Sequence, residues 1–139
     1  MKTGFIFPGQ GSQAVGMGKE LFNDYQEVRS LYEEASSVLG YDVAQLSFEG
    51  PKEELDKTFK TQPCLLTASI AACRVLEKEG IKPDCTAGHS LGEYSALVAA
   101  QVLSFADALK LVGGQLAKAS KAAGRGLLAK FGIGKKEDD

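Results

Sequence analysis

A short apolar segment, Cys85-Thr86-Ala87, is followed by Gly88-His89-Ser90-Leu91-Gly92 and then by a helical-looking stretch from Glu93 to Ala100. This G-x-S-x-G between a candidate strand and a candidate helix constrains the fold more than any other feature. A strand that turns sharply into a helix around a serine belongs to a parallel α/β sheet whose strand ends open onto a reaction site. The glycines allow the tight turn and lift the Ser90 hydroxyl above the strand ends. The Leu91 amide, at the start of the helix, is then oriented to donate to an oxyanion. A glycine-flanked turn serine without chemistry is the competing reading, and the flanking elements weigh against it.

Near the amino terminus, Thr3 to Phe7 is apolar and is stopped by Pro8-Gly9, which predicts a buried strand feeding the loop Gly9-Gln10-Gly11-Ser12-Gln13. In a parallel sheet the loops at the carboxyl ends of the strands share one rim, so Gln10 is placed to face Ser90. A backbone amide there, helped by the side chain, would complete an oxyanion hole. A dinucleotide-binding loop would need a further glycine where Ala14 stands, which weakens the phosphate-binding alternative.

The rest of the chain reads mostly as helices. Asp24 with Glu27 forms a capping pair for a helix in which Val28, Leu31, Tyr32, Ala35, Val38 and Leu39 share one face until Gly40. Gly50-Pro51 opens a short, exposed helix through Leu55 after a polar stretch. Thr61 is expected to cap a long, mostly buried helix with Pro63 in its first turn, ended by Gly80. Ser104 caps the last helix, Asp107 stands where an acid can reach back, and Val102-Leu103 staples it to the core. Composition changes after Val112: residues 113–139 hold six glycines and six basic residues against three acids, whereas residues 1–112 hold ten basic and fifteen acidic.

The formal net charge of -2 offers no footprint for a nucleic-acid backbone. Gly4-Phe5-Ile6-Phe7 is too short for a signal-peptide core and no later run approaches a membrane span, so a cytoplasmic setting without a membrane partner is expected. Cys64, Cys73 and Cys85 lie nine and twelve residues apart without a histidine cluster. They read as reduced core thiols, neither a disulfide framework nor a metal site.

Three motifs, Phe7-Pro8-Gly9-Gln10-Gly11-Ser12-Gln13, Thr61-Gln62-Pro63 and Gly88-His89-Ser90-Leu91-Gly92-Glu93-Tyr94-Ser95-Ala96-Leu97, resemble in order and spacing the malonyl-CoA:acyl carrier protein transacylases and the related acyltransferase domains of polyketide synthases. The resemblance covers about residues 3 to 112. It implies part of an α/β-hydrolase-like large subdomain, with short parallel strands and flanking helices, in residues 1–112. Residues 113–139 form a Gly/Lys-rich divergent tail, and the ferredoxin-like small subdomain is missing. The implied activity is transfer of malonyl from coenzyme A to acyl carrier protein through a seryl ester in fatty-acid synthesis, with the coenzyme A thioester as substrate and no cofactor.

By that resemblance Ser90 is the nucleophile, Gln10 and the Leu91 amide form the oxyanion hole, and His89 and Gln62 line the substrate site. The family's base is a histidine well downstream, whereas His89 is the only histidine here; as a neighbour of Ser90 in a tight elbow it reads better as a packed or hydrogen-bonded turn residue. The family also places a malonate-gripping arginine shortly after Leu-Val, where this chain has Leu111-Val112-Gly113-Gly114-Gln115. Arg125, between Gly124 and Gly126, is a poor substitute, because a grip on a carboxylate needs a fixed fork. These departures suggest a truncated or altered chain with impaired turnover. A non-catalytic folding or assembly fragment and, more distantly, a serine hydrolase remain the alternatives.

Overall fold

Two four-residue strands, β1 (Gly4–Phe7) and β2 (Cys85–Gly88), pair in parallel with Gly4 opposite Cys85 and Phe7 opposite Gly88. The computed structural model describes residues 1–114. Between the strands run α1 (Lys19–Asp24), α2 (Gln26–Leu39), α3 (Val43–Glu49), α4 (Lys52–Leu55) and α5 (Thr58–Lys78), and after β2 come α6 (Gly92–Ala99) and α7 (Phe105–Val112). The expected tail lies outside the described residues apart from Gly113 and Gly114. The same holds for Arg125.

The expectation of a buried first strand holds on one face only. Phe5 and Phe7 turn to one face, meet edge to face with ring centroids 6.5 Å apart, and pack with Cys73 of α5 and Ala96 of α6. Ile6, on the opposite face, is 84% exposed. Successive strand residues alternate between faces, and among the described residues helices cover only the Phe5 and Phe7 side. Cys85 and Ala87 share the open face with Ile6, so Cys85 is an exposed thiol, whereas Cys64 and Cys73 are buried as expected.

The main core lies between helices. Val28, Leu31, Tyr32, Ala35 and Leu39 of α2 pack against Leu65, Leu66 and Ile70 of α5 and against Phe105, Leu109 and Val112 of α7. The α2 pattern is as expected, including Gly40, whose φ of +85° closes the helix with its N–H on Ser36 O. The start of α2 is corrected. Tyr25, extended at φ -129°, precedes α2 without a side-chain cap, and Asp24 ends the unforeseen α1. Tertiary contacts outweigh the local capping signal here: Phe22 of α1 meets Tyr32 and Phe48 edge to face at 5.7 and 5.2 Å, and Arg29 Nη1 donates to the Phe22 and Asn23 carbonyls that end α1.

The polar stretch after Gly40 holds another unforeseen helix, α3, capped by Asp42 Oδ1 accepting from Gln45 N at 2.9 Å. Helix α4 is mostly exposed, yet Leu55 at its end is completely buried. Helix α5 begins at Thr58 behind Lys57, a turn earlier than expected, so Thr61 is no cap and Pro63 lies in the second turn. Thr61 Oγ1 instead donates to the Lys57 and Leu55 carbonyls, tying α5 to the end of α4. At the far end Gly80 adopts φ +92° and the Ile81 N–H reaches back to Leu76 O, as a helix stop of this kind requires.

Helix α7 matches its reading: Ser104 Oγ accepts from Asp107 N at 3.1 Å and Leu103 packs on the core, although Val102 is exposed. Ser104→Ala is expected to lower the unfolding free energy by about 1 kcal/mol, the usual worth of a side-chain helix cap. Urea unfolding followed by circular dichroism measures the loss. Helix α7 sends four buried residues into the core, so the loss should appear in the cooperative transition rather than as local fraying. No helix among the described residues is long and apolar enough to cross a membrane.

Candidate active site

Parallel pairing brings the ends of β1 and β2 to one edge, so the loop after Phe7 and the turn after Gly88 emerge side by side. The His89 N–H donates to Phe7 O at 3.2 Å, carrying the contact past the last strand pair. A Cβ on Gly9 would lie 2.5 Å from the His89 carbonyl oxygen and 3.1 Å from Ser90 Cβ. The first loop and the serine turn are therefore in backbone contact.

Within that turn, Gly92, Glu93 and Tyr94 donate to the carbonyls of His89, Ser90 and Leu91 at 2.9 to 3.0 Å. These three bonds wind the chain directly from β2 into α6 and put Ser90 at φ +57°, left-handed backbone that a non-glycine residue rarely adopts. Such strain is characteristic of a nucleophile held on a sharp strand-to-helix turn. The Ser90 side chain is exposed, and Leu91 is 3% exposed at the head of α6. Donors in a first helical turn have no partner within the helix. Among the described residues neither the Leu91 nor the Gln10 backbone N–H has an acceptor.

Gln10 itself is held from α5. Its Oε1 accepts from Gln62 Nε2 at 3.3 Å and its Nε2 donates to Thr58 Oγ1 at 3.4 Å. On the other side of the loop, Gln13 Oε1 accepts from the Gly11 N–H at 2.7 Å while Gln13 Nε2 donates to Asp56 Oδ1 at 3.0 Å. The structure thus groups Ser90, Leu91, Gln10 and Gln62. It adds Thr58 and Asp56, which the sequence reading missed, although the i, i+4 spacing of Thr58 and Gln62 marks a shared helix face.

His89 is beside the nucleophile in sequence, but it is exposed, and among the described residues only its backbone is engaged. Of the packed or hydrogen-bonded turn residue expected, the backbone bond to Phe7 O is present and the packing is not, because the turn buries Leu91 and Gly92 and leaves His89 and Ser90 outside. The described part of the segment that lacks an arginine, Leu111 to Gly114, closes α7, with Gly114 at φ +75°.

Residues 4–132 match the model of the acyl transferase domain family. The chain is 58% identical over 109 residues to the malonyl CoA-acyl carrier protein transacylase of Salmonella typhimurium, a match that covers 78% of this chain and 35% of that protein. To the enzyme of the same name from Bacillus subtilis it is 50% identical over 130 residues, covering 92% of this chain and 41% of that one. Among solved structures, an acyl carrier protein S-malonyltransferase from Vibrio cholerae superposes with a TM-score of 0.79 at 53% identity, over 85% of this chain and 40% of that chain. The chain therefore spans well under half the length of these relatives.

Proposed function

Because the chain belongs to the acyl transferase domain family, and because its serine turn and first loop meet at one sheet edge, we propose that it carries the acyl-accepting half-site of a malonyl-CoA:acyl carrier protein transacylase. The observation that carries this reading is the pairing of a left-handed Ser90 with two amides, Gln10 and Leu91, that have no acceptor among the described residues. Ser90 Oγ attacks the malonyl thioester carbonyl, and the two amides stabilise the charge that develops on the carbonyl oxygen. Collapse of that intermediate forms the Oγ–carbonyl bond, breaks the carbon–sulfur bond, and releases coenzyme A as a thiol that takes up the serine proton. The phosphopantetheine thiol of acyl carrier protein then attacks the seryl ester, and Ser90 regains its proton.

In this reading the described residues are part of an α/β-hydrolase-like large subdomain. His89 and Gln62 line the substrate site, His89 from the exposed side of the turn and Gln62 through its bond to Gln10. A serine hydrolase built on the same turn would leave the tie between Gln10 and Gln62 without a role. Mass spectrometry of the intact protein after exposure to malonyl-CoA tests the proposal. A malonyl ester on Ser90 supports it, and a folded protein that stays unmodified refutes it.

Acyl selectivity supplies a second measurement. A charge-assisted pair to a carboxylate is worth about 1.5 to 3 kcal/mol, and positions 113 to 115 are Gly, Gly and Gln. Competition between malonyl-CoA and acetyl-CoA is therefore expected to show less than about a tenfold preference for malonyl. A preference of about a hundredfold, equivalent to nearly 3 kcal/mol, would show that another cation grips the carboxylate.

A further inference from the structure

We propose that Thr58 is a positioning residue for acylation of Ser90, holding the Gln10 carboxamide from the first turn of α5, with the Gln13–Asp56 bridge steadying the same loop from its other end. The proposal rests on the acyl-transfer reading of the Ser90 site. Both functional ends of the Gln10 side chain are engaged, the oxygen by Gln62 and the nitrogen by Thr58. An amide fixed at both ends has one orientation, and its backbone cannot swing without breaking both ties. At 3.3 and 3.4 Å each bond is long and individually weak, so the loop depends on the pair acting together.

Thr58 and Gln62 stand one helical turn apart, so they present their polar atoms on one side of α5. The second anchor is independent of the first. Gln13 spans the Gly11 N–H and Asp56, and the Asp56 carboxylate also accepts from Lys52 Nζ at 2.7 Å. The Gln13 and Lys52 hydrogen bonds hold the Asp56 carboxyl below its usual range, in keeping with an acceptor that stays ionised. Loop residues Gln10 and Gln13 are thus bound to three residues within seven positions of one another, Asp56, Thr58 and Gln62, while Gly9 rests against Ser90.

Thr58 is exposed, so replacing its hydroxyl leaves the core untouched. In Thr58→Val the shape is kept and the acceptor is lost. Acylation of Ser90 at saturating malonyl-CoA is expected to slow about fivefold, the scale of one neutral hydrogen bond, with little change in the malonyl-CoA concentration needed for half-maximal rate. The Gln10 side-chain amide signals in a nitrogen–proton NMR spectrum should move, and Thr58→Ser should return both rate and signals to those of the parent chain. Asp56→Ala should speed hydrogen exchange at the Gly11 amide.

Signals that stay in place in Thr58→Val, a rate unchanged while they move, a rate that Thr58→Ser fails to restore, or an unaltered Gly11 exchange rate in Asp56→Ala would overturn the proposal. If the parent chain is not acylated at all, the malonyl-transfer reading fails, and with it the role of Thr58 in acylation. The NMR signals would then still report whether the Thr58 tie itself exists, which separates the two failures.

Discussion

Replacement of Ser90 by Ala is expected to abolish covalent capture of malonyl-CoA, while the parent chain accumulates a malonyl ester slowly. The turn supplies an exposed hydroxyl at φ +57° beside two amides without an acceptor among the described residues, so alanine removes the attacking atom and leaves the rest intact. In a serine enzyme whose base is in place, loss of the nucleophile costs on the order of 10⁶ in rate. The parent rate should nevertheless fall far below the roughly 10 per second of a typical enzyme. Its single histidine lies in the turn with an exposed side chain, and Ser90 has no hydrogen-bonded base among the described residues. A serine without such a base stays largely a neutral hydroxyl. Single-turnover mass spectrometry, followed by an assay of transfer to acyl carrier protein, measures both steps. Transfer near the typical rate that Ser90→Ala eliminates would reveal a base outside the groups described.

The second large effect is structural. Gly92→Ala is expected to destabilise the chain by about 3 kcal/mol or more, because overpacking against backbone cannot relax as it does against a side chain. A Cβ at Gly92 would sit 2.2 Å from Phe7 O and 2.9 Å from Pro8 O, where the two strand ends converge. Gly88→Ala meets a different obstacle, the backbone at the start of α6, with Gly92 O only 1.9 Å and Glu93 N 2.6 Å away. The first change must push the first loop from the serine turn, and the second must push the start of α6 from the end of β2. A marked fall in the urea midpoint is therefore expected, with acylation lost in whatever protein remains folded. A near-unchanged midpoint would mean that β1 and the turn are not packed as described.

Much of this was legible in local chemistry. The buried face of α2, the Ser104 cap, the Gly40 and Gly80 stops and the strand-turn-helix around Ser90 follow from periodicity and from residues suited to left-handed or capping positions. Where the reading failed, contacts that the local signal does not encode had outweighed it. The pairing of Asp24 with Glu27 resembles a cap, but the packing of Phe22 on Tyr32 and Phe48 and the reach of Arg29 put the break at Tyr25. Thr61 with Pro63 resembles a helix start. Its hydroxyl instead bonds the Leu55 and Lys57 carbonyls, and α5 begins a turn sooner. That error also concealed Thr58, which counts as a helix-face residue only once the true start is known.

The sequence by itself determined the chemistry that can be carried: a serine between glycines at a strand end, a glutamine in a loop on the same rim, and no histidine beyond His89. It also determined the family, because three motifs in order are a property of residue identity and spacing. Tertiary structure alone decided which side of β1 is covered, since alternation says that two faces exist but not how many are packed; Phe5 and Phe7 went inward and Ile6 outward. It alone decided that Gln10 is held by Thr58 and Gln62, residues 48 and 52 positions away. Hydrogen bonds at that separation depend on where the chain returns, and no local pattern encodes the return.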